Sequence, residues 1–162
     1  MMPYACTKDT KLRVFQFRFS HRRIATNDIL YKIGVIRHNM CTFCNVEIET
    51  LEHLFWECNT TQIFWKETTA WLLICFPQLS ERSFSMSACL GLISSLNLLI
   101  DHILLMARYH IHISKIKGTI PELYKLKYTI FKARKIELRI ACQSGKTKQC
   151  YEKWEHLQSQ DC

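Results

Sequence analysis

Four residues within a short span, Cys41-x2-Cys44-x8-His53-x4-Cys58, constrain this chain more than any other feature. Two thiolates separated by two residues curl around one ion at about 2.3 Å from each sulfur, and a His/Cys pair from a following helix completes a tetrahedron. Three sulfurs and one imidazole suit Zn²⁺. Four protein ligands leave no open position, so the predicted site is structural and does not activate water. The spacing carries one geometric condition. His53 and Cys58 are five apart, which on a straight α-helix places them about 140° apart around the axis. The helix must end or distort by Cys58, and Asn59, tolerant of left-handed backbone, is placed to end it.

A redox pair is the rival reading of Cys41 and Cys44, but it wants a strand before it, a helix starting within it and no third cysteine nearby. Cys75 and Cys89 read as small buried hydrophobes. The nine cysteines, an odd number scattered from position 6 to 162, fit a reduced compartment better than a disulfide framework. With no apolar run behind the early cations, no signal peptide is visible, so the expected location is intracellular, cytoplasm or nucleus, and not secreted. The sequon Asn59-Thr60-Thr61 is then expected to stay unused.

Hydrophobic residues make up 48% and charged residues 22% of the 162, a balance that folds. Four Gly and three Pro are too few to punctuate many short strands, so the expected fold class is mainly α: a small helical domain with one structural zinc knuckle and a basic helical C-terminal extension. Leu12, Phe15 and Phe19 place a first helix from Thr10 as N-cap. A second begins near Thr26 or Asn27, sets Ile29, Leu30 and Ile33 on one face and stops at Gly34. A third starts at Thr50. A fourth, capped by Thr60 or Thr61, runs through Phe64, Trp65 and Trp71 to Pro77. A long apolar helix capped by Ser85 or Ser87 reaches about Ser114, and Asn97, Asp101 and His102 break its apolar run, which makes it a core helix and not a membrane span. Residues 122 to 140 form an amphipathic basic helix, and the tail from Gly145 frays. The expected units are 8–117, the zinc-binding domain, and 118–162, a basic helical extension that is partly disordered.

The formal charge of +8 is unevenly spread. Residues 1–40 hold eight Lys/Arg against two Asp/Glu, residues 41–107 two against seven, and residues 108–162 twelve against five. Two basic ends around an acidic, apolar middle point to a large polyanion, and nucleic acid is the commonest; the rival is that the cations simply solvate helix faces. Arg18, Arg22 and Arg23 surround the corner between the first two helices, and Lys32 and Arg37 lead into Cys41. These five cations, with Phe43 to stack on an unpaired base, are the predicted nucleic-acid contacts, positioning a strand without reading it.

Catalysis is not expected. Asp9, Asp28, Asp101 and Asp161 are isolated, so two-metal chemistry has no carboxylate pair. Gly145-Lys146-Thr147 has Ile140 where a phosphate-binding loop needs its first Gly. His102, His110 and His112 read as surface or stacking histidines, since the last two have no Cys or acid at ligand spacing.

The stretch Lys11-Leu-Arg-Val-Phe-Gln-Phe-Arg-Phe-Ser-His-Arg-Arg-Ile-Ala-Thr-Asn-Asp-Ile-Leu-Tyr-Lys-Ile-Gly34, followed by Cys-Thr-Phe-Cys44 and Glu-Thr-Leu-Glu-His-Leu-Phe-Trp-Glu-Cys58, resembles the zinc-binding domain that lies after the reverse transcriptase in LINE-type, non-LTR retrotransposon polyproteins. Phe64-Trp65 and Leu104 to Lys117 are similar to the region downstream of that domain, so the resemblance covers about residues 11 to 117. It implies zinc on Cys41, Cys44, His53 and Cys58. It also implies that the domain helps the polymerase hold template RNA or target DNA during target-primed reverse transcription. Retroelement RNA, target DNA and the polymerase domain of the parent polyprotein are the partners it implies, with no membrane and no small-molecule substrate. Endonuclease and polymerase motifs are missing, so the chain reads as a C-terminal fragment of such an element with its own start methionine. The expected function is a non-catalytic, zinc-binding nucleic-acid module. The alternatives are a zinc-stapled protein-interaction module in which Trp56, Trp65 and Trp71 pack a partner, or an inert remnant.

Overall fold

The computed structural model describes residues 6–80, 84–92 and 97–157. Helix α1 (Thr10–Ser20) forms because Leu12, Phe15, Gln16 and Phe19 fall at i, i+3, i+4 and i+7 and are all buried. Its N-cap is Asp9, one residue before the Thr10 that the sequence favours; the carboxylate accepts the Lys11 amide at 2.8 Å. Helix α2 (Asn27–Lys32) begins after Thr26 as expected, and Gly34 beyond it takes φ +76°. None of its residues is buried, and Ile29 and Ile33 lie exposed.

Helix α3 (Asn59–Cys75) ends at Phe76 and Pro77. The single long apolar helix expected from Ser85 or Ser87 onward is two. Helix α4 (Met86–Cys89) is capped by Ser85, whose Oγ accepts from Ala88 N, and Gly91 at φ +71° turns the chain away. Helix α5 (Leu98–Lys117) then restarts on Asn97, whose Oδ1 accepts the amides of Leu99 and Ile100. The apolar periodicity continues through the break, so only the capping chemistry reveals it. Gly118, at φ +63°, closes α5.

Residues 99–108 of α5 are buried on every face, which identifies α5 as the axis of the core. Helix α6 (Leu123–Gln143) and helix α7 (Thr147–Trp154) pack against it and each other, while α1 and α3 enclose the rest. The tail expected to fray from Gly145 forms a helix over Thr147–Trp154 and buries Cys150, Trp154 and Leu157, spaced i, i+4 and i+7, while residues 158–162 lie outside the described residues. The buried core thus runs from Cys6 to Leu157. Among the described residues no strand is present beyond one isolated bridge, Met40 with Ile48, and no helix is long and apolar enough to cross a membrane.

A half-buried polar cluster fastens α7. Lys153 Nζ lies 2.9 Å from Glu137 Oε2, 3.2 Å from His102 Nδ1 and 3.1 Å from the carbonyl of Cys6, and Trp154 Nε1 donates to Glu137 at 2.7 Å. Burial first, and then the Lys153 ammonium, pull the His102 ring down to about 4, against the opposing pull of Glu137 and Asp9. The unfolded chain binds this proton near pH 6.5 and the folded chain refuses it until about 4. Stability from His102 therefore falls as pH drops through that window, by about 3 kcal/mol in all. Urea unfolding of the wild type and of His102→Gln between pH 7 and 4 is expected to show a shallower loss in the variant; parallel curves would refute the assignment.

Candidate metal centre

The knuckle grows from local hydrogen bonding. Cys41 N donates to Glu47 O at 2.8 Å, Glu49 N to Asn39 O at 2.8 Å, and Asn45 N to Cys41 O at 2.9 Å, closing a tight turn around Cys41-Thr42-Phe43-Cys44. The turn needs left-handed backbone at its end, and Asn45 supplies it at φ +52°. Phe43 N points at Cys41 Sγ, 3.4 Å away.

The short helix expected from Thr50 begins at Leu51 with Thr50 capping it, its Oγ1 accepting from His53 N at 3.0 Å. It then widens into a π-turn, His53–Glu57, closed by Cys58 N donating to His53 O at 2.8 Å. This is the distortion that the five-residue spacing demands: an i→i+5 turn brings Cys58 back over His53. Asn59 does not end the helix. Cys58 itself does, with ψ 129°, and Asn59 opens α3. The widening leaves carbonyls to satisfy, and two side chains of α3 do so: Thr61 Oγ1 donates to Leu54 O and Trp65 Nε1 to Phe55 O, both at 2.8 Å. Trp65 and Trp71 are core residues, and Trp56 packs half-buried against Trp65.

Cys41 Sγ, Cys44 Sγ, Cys58 Sγ and a His53 ring nitrogen lie within 4.8 Å of one another. Around a tetrahedral zinc, two sulfurs sit about 3.8 Å apart and a sulfur and an imidazole nitrogen about 3.5 Å apart. Cys41 and Cys58 are separated by 3.9 Å, and Cys44 Sγ and His53 Nε2 by 3.4 Å. The residues fit the ion, and the sulfur separation is far beyond a disulfide bond. Desolvation pushes the Cys41 thiol up to about 12 when no cation compensates its charge. At Cys44, desolvation is outweighed by the amides of Glu47 and Val46 and by His53, which bring it down to about 6. A metal ion is what makes a buried thiolate set of this kind stable.

Glu49 orients the knuckle, although nothing in the sequence singles it out. Fully buried, its carboxylate accepts from Asn27 N at 2.9 Å, Thr42 N at 2.7 Å and Thr42 Oγ1 at 2.6 Å, and faces Lys115 Nζ of α5 at 3.5 Å. Lys115 also donates to Ala25 O at 2.6 Å. One carboxylate thus binds the start of α2, the residue after Cys41 and the core helix. Glu49→Gln keeps the shape and removes the charge; zinc affinity is expected to fall about 10- to 100-fold, as when a partner of a ligand-bearing loop is lost. Competition with a chelating dye reads this, and an unchanged affinity would remove Glu49 from the account.

The predicted nucleic-acid residues do not share one environment. Arg18 and Arg23 line the same groove between α1 and α5. Arg22, at φ +55°, lines a different one and is ion-paired with Glu52, whose carboxyl it holds below the usual range. Lys32 pairs with Asp28 at 2.8 Å. Arg37 is exposed, and Phe43 is half-buried against the core. Among the described residues, Arg18, Arg23 and Arg37 have no ion-pair partner.

No curated protein and no solved structure matches this chain. Residues 3–65, which carry all four ligands and Glu49, match the model of the family described as zinc-binding in reverse transcriptase.

Proposed function

We propose that the chain is a non-catalytic nucleic-acid-binding module, derived from the C-terminal part of a LINE-type reverse transcriptase polyprotein, whose zinc staple holds a basic corner in place for RNA or DNA. The observation that carries the reading is the pair Arg18 and Arg23, exposed, without acidic partners and lining one groove. Guanidinium groups left unpaired on a rigid corner are suited to phosphate. Arg22 and Lys32 contribute less, being engaged by Glu52 and Asp28.

Filter binding to single-stranded RNA and DNA at two salt concentrations tests this. Reversing Arg18 and Arg23 to Glu is expected to weaken binding and to flatten the logarithmic salt slope by about 1.4, the loss of two single-strand phosphate contacts. Reversing Lys146 and Lys148, on and beside α7, serves as the charge-matched control. Equal losses from both pairs would mean that only net charge matters.

One observation favours a second reading. Around α2 and the knuckle, Tyr31, Ile33, Val35, Val46 and Ile48 are all exposed, an apolar surface of the kind that packs against protein. It suits a polymerase domain as partner. Association that survives high salt distinguishes that reading from the first.

A further inference from the structure

Between α1 and α5 lies a groove of about 580 Å³, large enough for a nucleoside. Its rim is cationic: Lys11, Arg18 and Arg23 line it, and no acidic residue does. Its floor is aromatic. The rings of Phe15 and His112 are stacked at 5.3 Å and 29°, and Tyr109 meets Phe15 edge-on at 5.3 Å. His112 Nδ1 is buried and has no hydrogen-bond partner. Burial, and then Lys115 and Arg18, hold the His112 ring below its ordinary range, so it is neutral near pH 7 and offers one donor and one acceptor.

We infer that this groove takes one unpaired base of a single-stranded nucleic acid, with the flanking phosphates on Lys11, Arg18 and Arg23. The inference rests on the reading of the chain as a nucleic-acid binder and adds a site that reads the presence of a base as well as charge. Charge complementarity selects the occupant: three cations in a lining that holds no acidic residue call for a polyanion, and an aromatic floor calls for a planar group between its charges. A single strand supplies both in one chain. A duplex keeps its bases paired and presents none to the groove.

The test uses the full chain with zinc bound and two fluorescein-labelled oligonucleotides of equal length and charge, one carrying bases and one wholly abasic. The base-bearing strand is expected to bind about tenfold more tightly, within the range that stacking of one base supplies. Tyr109→Leu removes one aromatic from the floor. Val14→Trp fills the groove from a position that is 44% exposed and so leaves the core untouched. Both variants are expected to abolish the tenfold preference while the abasic affinity stays as in the wild type. Equal binding of the two strands by the wild type, or a preference that persists in Val14→Trp, would overturn the groove and leave the basic corner standing. Failure of both strands to bind at about 0.1 M salt would overturn both readings together.

Discussion

Replacing Cys58 with Ala, or stripping zinc with a strong chelator, is expected to cost this chain at least about 4 kcal/mol and to unfold the segment from Asn39 to Glu49. The physical ground is the scarcity of other restraints there. Met40 and Ile48 form one isolated bridge, and α2 buries none of its residues. What holds the knuckle is the ligand set together with Glu49. Structural zinc contributes about 10–16 kcal/mol in small zinc-finger peptides, comparable with the whole stability of an ordinary domain. Removing one ligand of four also leaves buried thiols with no charge to balance when they ionise. Thermal melts with and without chelator read the effect, and Cys142→Ser, an exposed cysteine outside the site, is expected to melt like the wild type. A Cys58→Ala protein with wild-type stability would show that the site does not staple the fold.

The second large effect lies away from the metal, at Arg108. This guanidinium is fully buried in the core, donating to Cys89 O at 2.7 Å and to Gln16 Oε1 at 3.0 Å, and resting 6.0 Å above the Phe19 ring. Burial brings it down to about 10, with Cys89, Cys6 and Asp101 opposing that shift, so it stays charged at neutral pH. It ties α1, α4 and α5 to a single point. Arg108→Ala leaves the Gln16 amide and the Cys89 carbonyl without their donor and opens a cavity, for an expected loss of about 3–5 kcal/mol. Gly91→Ala probes the same point from outside: its Cβ would stand 2.8 Å from Arg108 Nη2 at a backbone φ of +71°, so it too is expected to destabilise. Chemical denaturation measures both, and stabilities within about 1 kcal/mol of wild type would show that Arg108 is dispensable.

Legibility in the sequence divides along a physical line. The ligand set is readable because chelation fixes residue types at short spacings, and the distortion before Cys58 comes from helix geometry alone. Helix α1 is readable from the period of Leu12, Phe15 and Phe19. What cannot be read depends on partners far along the chain. Arg108 counts as a surface cation until Gln16, 92 residues earlier, is placed beside it. Glu49 lies in a short acidic run that looks solvated, and only Thr42, Asn27 and Lys115 reveal it as an internal anchor. Trp154 reads as part of a fraying tail because Lys146 and Lys148 dominate that stretch; the i, i+4, i+7 face of Cys150, Trp154 and Leu157 is the signal that places it in the core. The break between α4 and α5 is invisible to hydrophobic periodicity and is marked only by Gly91 and by Asn97 as a cap.

The most direct test of the account returns zinc to the metal-free chain while monitoring a labelled single-stranded RNA at about 0.2 M salt, where non-specific attraction to a basic chain is weakened. Binding is predicted to rise with added zinc and to saturate at one equivalent per chain, because the staple places the corner. Affinity that is the same before and after zinc would contradict the claim that the metal centre builds the nucleic-acid surface.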